Sequence, residues 1–128
     1  MHFIDVWPKL VLLLKSAKSK DEKQRILRCL ALTFLGERTC WNATQVGVNL
    51  ALRENVFLWR FRWNEVNGRL KRAGLGFFKR ARVLLTCRAI IAEPGNKGHC
   101  NLDFYPLRQR LINSDAFLRA ALEKKRDV

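Results

Sequence analysis

Basic and amide side chains share one face of a helical pattern that runs from residue 59 to residue 73. The other face is an apolar stripe at the spacing i, i+3, i+7, i+10, formed by Trp63, Val66, Leu70 and Ala73. At about 100° per residue, the polar face and its flanks carry Asn64, Glu65, Asn67, Gly68, Arg69, Lys71 and Arg72. Lysine and arginine side chains pair with phosphate oxygens, so this chemistry indicates a polyanionic ligand such as a nucleic acid.

After this helix, apolar residues recur at every second position instead of at helical spacing. Gly74 is expected to end the helix, because glycine enters the left-handed conformation without steric cost. Apolar residues then alternate with polar ones, at Ala81, Val83, Leu85, Cys87, Ala89 and Ile91. A turn signal at 93–98 precedes a second alternating run with Cys100, Leu102 and Phe104 inside. The two runs predict a long basic β-hairpin, although 77–92 is also compatible with a continuing helix.

The charge balance favours the same class of ligand. The chain has 128 residues, 48% of them hydrophobic, which is enough for one folded domain. Its formal net charge is +14, and from Arg60 through Gly98 ten Lys or Arg against two Glu give +8. Such a field attracts DNA, RNA or an anionic membrane face, although a solvated basic surface that aids solubility is the simpler reading.

Neither a membrane anchor nor an export signal is expected. The sequence has no run of eighteen apolar residues. The apolar stretch near the N-terminus contains Asp5 and has no basic region before it. The sequence therefore predicts a cytoplasmic, nucleoid-associated protein that does not bind a membrane.

Catalytic and metal-binding patterns are poorly represented. The four cysteines are Cys29, Cys40, Cys87 and Cys100. None of them forms a closely spaced pair, so reduced and mostly buried thiols are expected rather than a zinc site. His2 and His99 lack a carboxylate partner at helical spacing, and no glycine-rich phosphate loop occurs. The sequence predicts no metal, no cofactor and no enzyme, and a small nuclease or toxin ranks last among the functional classes.

Further helices are expected on both sides of the basic segment. An amphipathic N-terminal helix within 1–18 should pack on the core or on a second subunit. The capping box Ser19-x-x-Glu22 opens a helix over 20–35 that stops near Gly36. A short helix at 43–52 and a C-terminal helix within 106–128, capped by Asn113-Ser114-Asp115, complete a single domain.

This order of elements resembles a winged helix-turn-helix domain over residues 19–105, a mainly α fold with a β-hairpin. The resemblance is carried by about twenty-five residues, from Arg62 to Leu75 and through Val83-Leu84-Leu85-Thr86. Many prokaryotic winged helices end the recognition helix with Leu-x-x-x-Gly-Leu and return through a strand that closes on Leu-Thr. The N-terminal domain of Mrr-type restriction enzymes has a similar Trp and Leu-Lys-x-Ala-Gly-Leu pattern. The resemblance implies the fold and DNA binding, not restriction activity.

In such a fold the helix at 59–73 would enter the major groove. Base edges would then be within reach of Asn64, Asn67 and Lys71. Phosphate contacts are expected from Arg60, Arg62, Arg69, Arg72, Asn42, Thr44 and Gln45. The hairpin would be the wing, with Lys79, Arg80, Arg82 and Arg88 along the backbone and Lys97 at a minor groove.

Two alternatives stay open. Trp59, Phe61 and Trp63 interleave with arginines, an arrangement that can stack on unpaired bases of RNA or single strands. Trp63 is favoured as a core residue, whereas Phe61 projects to the polar side. The protein would then be either a DNA-binding transcriptional regulator, dimeric through a terminal helix, or a basic non-catalytic subunit of a nucleoprotein assembly, such as an RNA-guided effector complex or a ribosome-like particle.

Overall fold

The computed structural model describes residues 3–43, 59–94 and 104–123 and is mainly helical. Across these ranges the helices are α1 (Phe3–Ser16), α2 (Lys20–Leu35), α3 (Trp63–Arg72), α4 (Phe77–Ala92), α5 (Phe104–Ser114) and α6 (Ala116–Glu123). A 3₁₀ turn at Arg38–Cys40 leads into β1 (Trp41–Ala43), and β2 is Trp59–Phe61. No helix in the described ranges is long and apolar enough to cross a membrane. The predicted mainly α class is confirmed.

The second half of α2 lies at the centre of the molecule. Its side chains from Ile26 to Leu35 are all buried except Arg28, which is half-buried. A helix that is apolar on every side must be covered on every side, and α1, α4 and α5 all pack against it. The helix begins as predicted, since the Glu22 N–H donates to Ser19 Oγ at 3.1 Å, and it stops at Gly36.

The β-structure is an antiparallel pair of short strands beside the C-terminal end of α2. Trp41 of β1 lies opposite Phe61 of β2, and both side chains are buried. The Trp41 indole N–H donates to the Leu35 carbonyl at 2.7 Å, and its ring stacks on Phe104 with centroids 6.1 Å apart. These contacts tie the strand pair to both α2 and α5.

The predicted wing is wrong in its first strand, because residues 77–92 form the helix α4. The apolar residues of this segment satisfy two periods at once. Alongside the alternating set, Val83, Leu84, Cys87, Ile90 and Ile91 follow the helical template i, i+1, i+4, i+7, i+8. This second set is the one that is buried or half-buried, against α2. The predicted return run, which ends at Tyr105, lies outside the described residues except Phe104 and Tyr105, and these two residues begin α5 instead of ending a strand.

The C-terminal region consists of two helices rather than one. Asp115 lies between α5 and α6, and its Oδ1 accepts a hydrogen bond from the Leu118 N–H at 3.1 Å, which confirms the predicted cap. Its Oδ2 lies 3.3 Å from Arg25 Nε on α2. The N-terminal helix packs on α2 through Leu10 and Leu14, both buried, in agreement with the prediction that it contributes to the core. The predicted helix at 43–52 falls outside the described residues.

The turn 73–76 joins α3 to α4 and contains two glycines with different roles. Gly74 has φ +85°, and the N–H groups of Gly74 and Leu75 donate to the carbonyls of Lys71 and Leu70. This is the Schellman arrangement that ends many helices, and it confirms the predicted end of α3. Gly76, with φ −68°, begins α4 in a conformation open to any residue.

We predict that Gly74→Ala lowers the free energy of unfolding by about 1–2 kcal/mol, because alanine is strained at positive φ. The new Cβ would also lie 2.8 Å from Lys15 Nζ, which donates to the Ala73 carbonyl at 3.1 Å. The matched control is Gly76→Ala, whose Cβ would meet no atom within 4 Å and should change stability by about 0.5 kcal/mol or less. Urea unfolding of both variants measures the difference, and equal losses would contradict the assignment.

Candidate nucleic-acid interface

The helix α3 is amphipathic in the orientation expected from the sequence. Val66 and Leu70 are fully buried, while Asn64, Lys71 and Arg72 are exposed on the opposite side. Gly68 lies among these exposed residues, and a Cβ there would approach only the end of the Arg72 side chain, at 3.4 Å. Trp63 departs from the prediction, since 37% of it is exposed.

The strand pair adds polar groups at the N-terminal end of α3. Arg60 lies opposite Asn42 in the strand register, and both residues are exposed. Partners across an antiparallel pair share a face, so these two side chains lie next to each other. Arg62 precedes α3 and donates to Asn42 Oδ1 at 3.4 Å. We define the α3 basic face as Asn42, Arg60, Arg62, Asn64, Lys71 and Arg72.

Arg69, expected at a phosphate, makes contacts within the protein. Its guanidinium donates to Glu65 at 2.9 Å, to Thr39 Oγ1 at 3.3 Å and to Cys40 Sγ at 3.9 Å. The side chain is 21% exposed. Arg69 therefore braces α3 against the 3₁₀ turn.

Arg80 and Asn67, expected at DNA, hold the two helices of the turn together. Arg80 Nε donates to Asn67 Oδ1 at 3.0 Å, and its NH1 group donates to the Leu75 carbonyl at 2.7 Å. The guanidinium also lies 5.9 Å from the Phe77 ring centroid. One arginine thus contacts α3, the turn and α4.

Acidic groups between residues 59 and 94 are already paired. Glu65 accepts hydrogen bonds from Arg62 and Arg69, and these partners lower its pKa even though partial burial opposes the shift. Glu93 pairs with Arg28 at 3.2 Å. Consequently, none of the cations Arg60, Lys71, Arg72, Lys79, Arg82 and Arg88 forms an ion pair with any described acidic residue.

The remaining predicted contacts do not form a wing. Lys79, Arg82 and Arg88 lie on α4, where Lys79 is half-buried and the two arginines are exposed. Thr44, Gln45 and Lys97 fall outside the described residues. α4 has three large exposed apolar side chains, those of Phe77, Phe78 and Leu85, and the predicted period of two gives no sign of the pair formed by Phe78 and Leu85. At 100° per residue they share one face, which is the signal that could have found them.

Phe61 is a core residue, contrary to the expectation that it projects to the polar side. It is 6% exposed and makes edge-to-face contacts with Trp41 and Trp63, with centroids 5.1 and 4.7 Å apart. The expectation failed because residue 61 belongs to a strand, so its direction follows a period of two rather than the helical angle. The exposed edge of Trp63 therefore rests on a buried aromatic cluster.

The cysteines of the described ranges are structural. Cys29, Cys40 and Cys87 are buried and unpaired by disulfides. Burial raises the pKa of Cys29 to about 12 and that of Cys40 to about 11, and it also raises the pKa of Cys87. No group of three or more His, Cys, Asp or Glu in the described residues could hold a metal ion.

Comparison of the chain with protein-family models, with curated proteins and with solved structures gave no match.

We predict that Arg69→Ala destabilises the protein by about 1 kcal/mol or more, because it removes the brace and leaves Glu65 with one cation fewer. Arg72→Ala removes the same charge from the same helix at an exposed position, and stability should change by about 0.5 kcal/mol or less. Thermal and urea unfolding distinguish the two variants. A neutral Arg69→Ala would show that the contacts with Glu65 and Thr39 contribute nothing.

A second prediction concerns the thiols. In the native chain at pH 8, iodoacetamide should label Cys29, Cys40 and Cys87 at least about a hundredfold more slowly than in urea, because the thiolate is rare and access requires opening. Mass spectrometry assigns the label to each cysteine. Rapid native labelling of Cys87 would contradict its burial.

Proposed function

We propose that the protein binds nucleic acid, and double-stranded DNA in particular, through the α3 basic face. The main support for the proposal is that Glu65 and Glu93 are paired within the protein. The exposed cations of residues 59–94 that they do not contact are therefore left without a carboxylate partner. On the α3 basic face these cations are Arg60, Lys71 and Arg72, whereas Arg62 pairs with Glu65. A surface of unpaired Lys and Arg gains affinity for a phosphate backbone by releasing its counterions.

The shape of α3 suits a duplex. Ten helical residues span about 15 Å, and the major groove of B-DNA, about 12 Å wide, admits a helix. Asn64 would reach a base edge, and Arg72 would contact a phosphate. Lys71, predicted at a base edge from the sequence, is assigned instead to a phosphate beside Arg72. Gly68, with no side chain between Asn64 and Lys71, would let the backbone of the nucleic acid approach closely.

α3 suits this role better than α4. The two helices are joined by a four-residue turn with glycines, as in a helix-turn-helix, where the second helix usually reads the groove. The exposed side of α4, however, carries Phe78 and Leu85, which are 82% and 62% exposed. A hydrated, charged groove gives such side chains little to contact, so the basic helix is assigned the binding role. The function proposed is therefore that of a DNA-binding regulator in which residues 77–92 form a helix instead of a strand of a wing.

A second candidate is the basic subunit of a nucleoprotein assembly that binds RNA or single strands. The partly exposed ring of Trp63, beside Arg62, favours it, because an aromatic next to an arginine can stack on an unpaired base. Binding to duplex DNA, single-stranded DNA and structured RNA across a salt series separates the two candidates. Duplex preference supports the first, and preference for RNA or single strands supports the second.

We predict that Lys71→Ala combined with Arg72→Ala weakens duplex binding about tenfold or more and reduces the salt slope by about 1.8, since each lost phosphate contact removes about 0.9. The matched control is Lys18→Ala with Lys20→Ala, which removes equal charge from exposed positions at the start of α2. Fluorescence anisotropy of a labelled duplex measures both. If both double variants lost the same affinity for the duplex, the DNA would be attracted by the net charge of the protein and not by the α3 basic face.

A further inference from the structure

A groove runs between α2 and α4 on a side of the molecule that the α3 basic face does not include. It consists of two adjoining cavities of about 510 and about 630 Å³. Leu27, Arg82 and Leu85 line both, so the two cavities are neighbours along the groove. The first extends to Leu14 of α1, and the second extends to Leu111 of α5.

The α4 wall of the groove carries two large apolar side chains that are exposed. Phe78 and Leu85 lie seven residues apart on one face of α4, about 10 Å along the helix. Ala81 lies between them and Ala89 beyond, both lining the groove with small side chains. Arg82 also lies between Phe78 and Leu85, so the hollows that a second helix could enter lie at the small side chains of Ala81 and Ala89. An exposed apolar surface of this kind marks an interaction site.

The rim of the groove is basic. It carries Lys23, Gln24, Arg25 and Arg28 on α2 and Lys79 and Arg82 on α4. Arg25 and Arg28 already contact Asp115 and Glu93. Lys23, Lys79 and Arg82 form no ion pair with any acidic residue in 3–43, 59–94 or 104–123.

We propose that this groove binds an acidic amphipathic helix of a partner protein. Apolar residues of the partner at i, i+3, i+4 and i+7 would cover Phe78 and Leu85, as in other helix-in-groove complexes. Carboxylates beside that stripe would pair with Lys23, Lys79 and Arg82 across the rim. Binding would therefore remove exposed apolar surface and neutralise charge in one step.

Shape and charge disfavour the other occupants. A second copy of the chain would bring its own basic rim against this one, and like charges facing each other are costly. A lipid surface is broad, and it cannot follow a concave floor between two helices, whereas a helix about 10 Å across can. A phosphate backbone could pair with the basic rim, but it would leave the apolar side chains of Phe78 and Leu85 in water, whereas an amphipathic helix covers them.

The test uses the full chain and a designed probe, a fluorescent helical peptide of about five turns with leucines on one face and glutamates on both flanks. A peptide with every glutamate replaced by lysine is the charge control. We expect the acidic peptide alone to bind, with Leu85→Asp weakening it about tenfold or more. Leu12→Asp is the matched variant, because Leu12 of α1 is 60% exposed and does not line the groove. It should leave binding within about twofold of the parent.

Several results would overturn the proposal. In one, the acidic peptide fails to bind at about 100 µM, or the lysine peptide binds equally well. In another, Leu85→Asp and Leu12→Asp weaken binding by the same factor. In a third, phosphatidylserine vesicles or duplex DNA displace the peptide. Sedimentation that shows a dimer dissolved by Leu85→Asp would assign the groove to a second copy instead. The Lys71→Ala, Arg72→Ala variant should bind the peptide normally, so failure of the nucleic-acid proposal leaves this test intact.

Discussion

Burial of the second half of α2 on all sides is the constraint on which the rest of the structure depends. Between Ile26 and Leu35 this helix has almost no polar side chain to turn toward water, so other helices must surround it. α1, α4 and α5 do so, and the one buried hydroxyl of the run, Thr33, donates to the Cys29 carbonyl at 2.8 Å. With apolar contacts covering α2, most charged residues of the neighbouring helices face outward, and Arg108 of α5, which is 3% exposed, is an exception.

This arrangement divides the surface into two chemically different faces. α4 packs Val83, Cys87 and Ile90 against α2, and the side of α4 that borders the groove carries the exposed side chains of Phe78 and Leu85. α3 is held to α4 by the Arg80–Asn67 hydrogen bond and by the left-handed turn at Gly74. These contacts fix α3 with its basic side exposed. The groove is lined by no residue of α3. A nucleic acid on α3 and a protein helix in the groove would therefore contact different residues.

Features that depend on neighbouring residues in the sequence were predicted, whereas contacts between distant segments were not. Ser19, Gly36, Gly74 and Asp115 each mark a helix boundary through a hydrogen bond or a dihedral angle of the residue itself, so the sequence was sufficient. The segment 77–92 was misassigned because its apolar residues fit both periods, and packing on α2 decides between them. The strand pair could not be foreseen, because residues 41–43 and 59–61 find each other across the chain. Helical spacing alone predicted that the charged residues share a face. It did not predict the partners of Arg69 and Arg80 within the protein, because those contacts join residues that are distant in the sequence.

The buried central helix α2 leaves α3 with its basic side outward, and we propose that nucleic acid contacts this side. Titration of the ¹⁵N-labelled protein with a duplex of random sequence, followed by amide chemical shifts, locates the contact. The largest changes should fall on Arg60, Asn64, Gly68, Lys71 and Arg72, with α2 and the exposed side of α4 unaffected. Changes centred on Phe78 and Leu85, or none at low salt, would contradict the proposal.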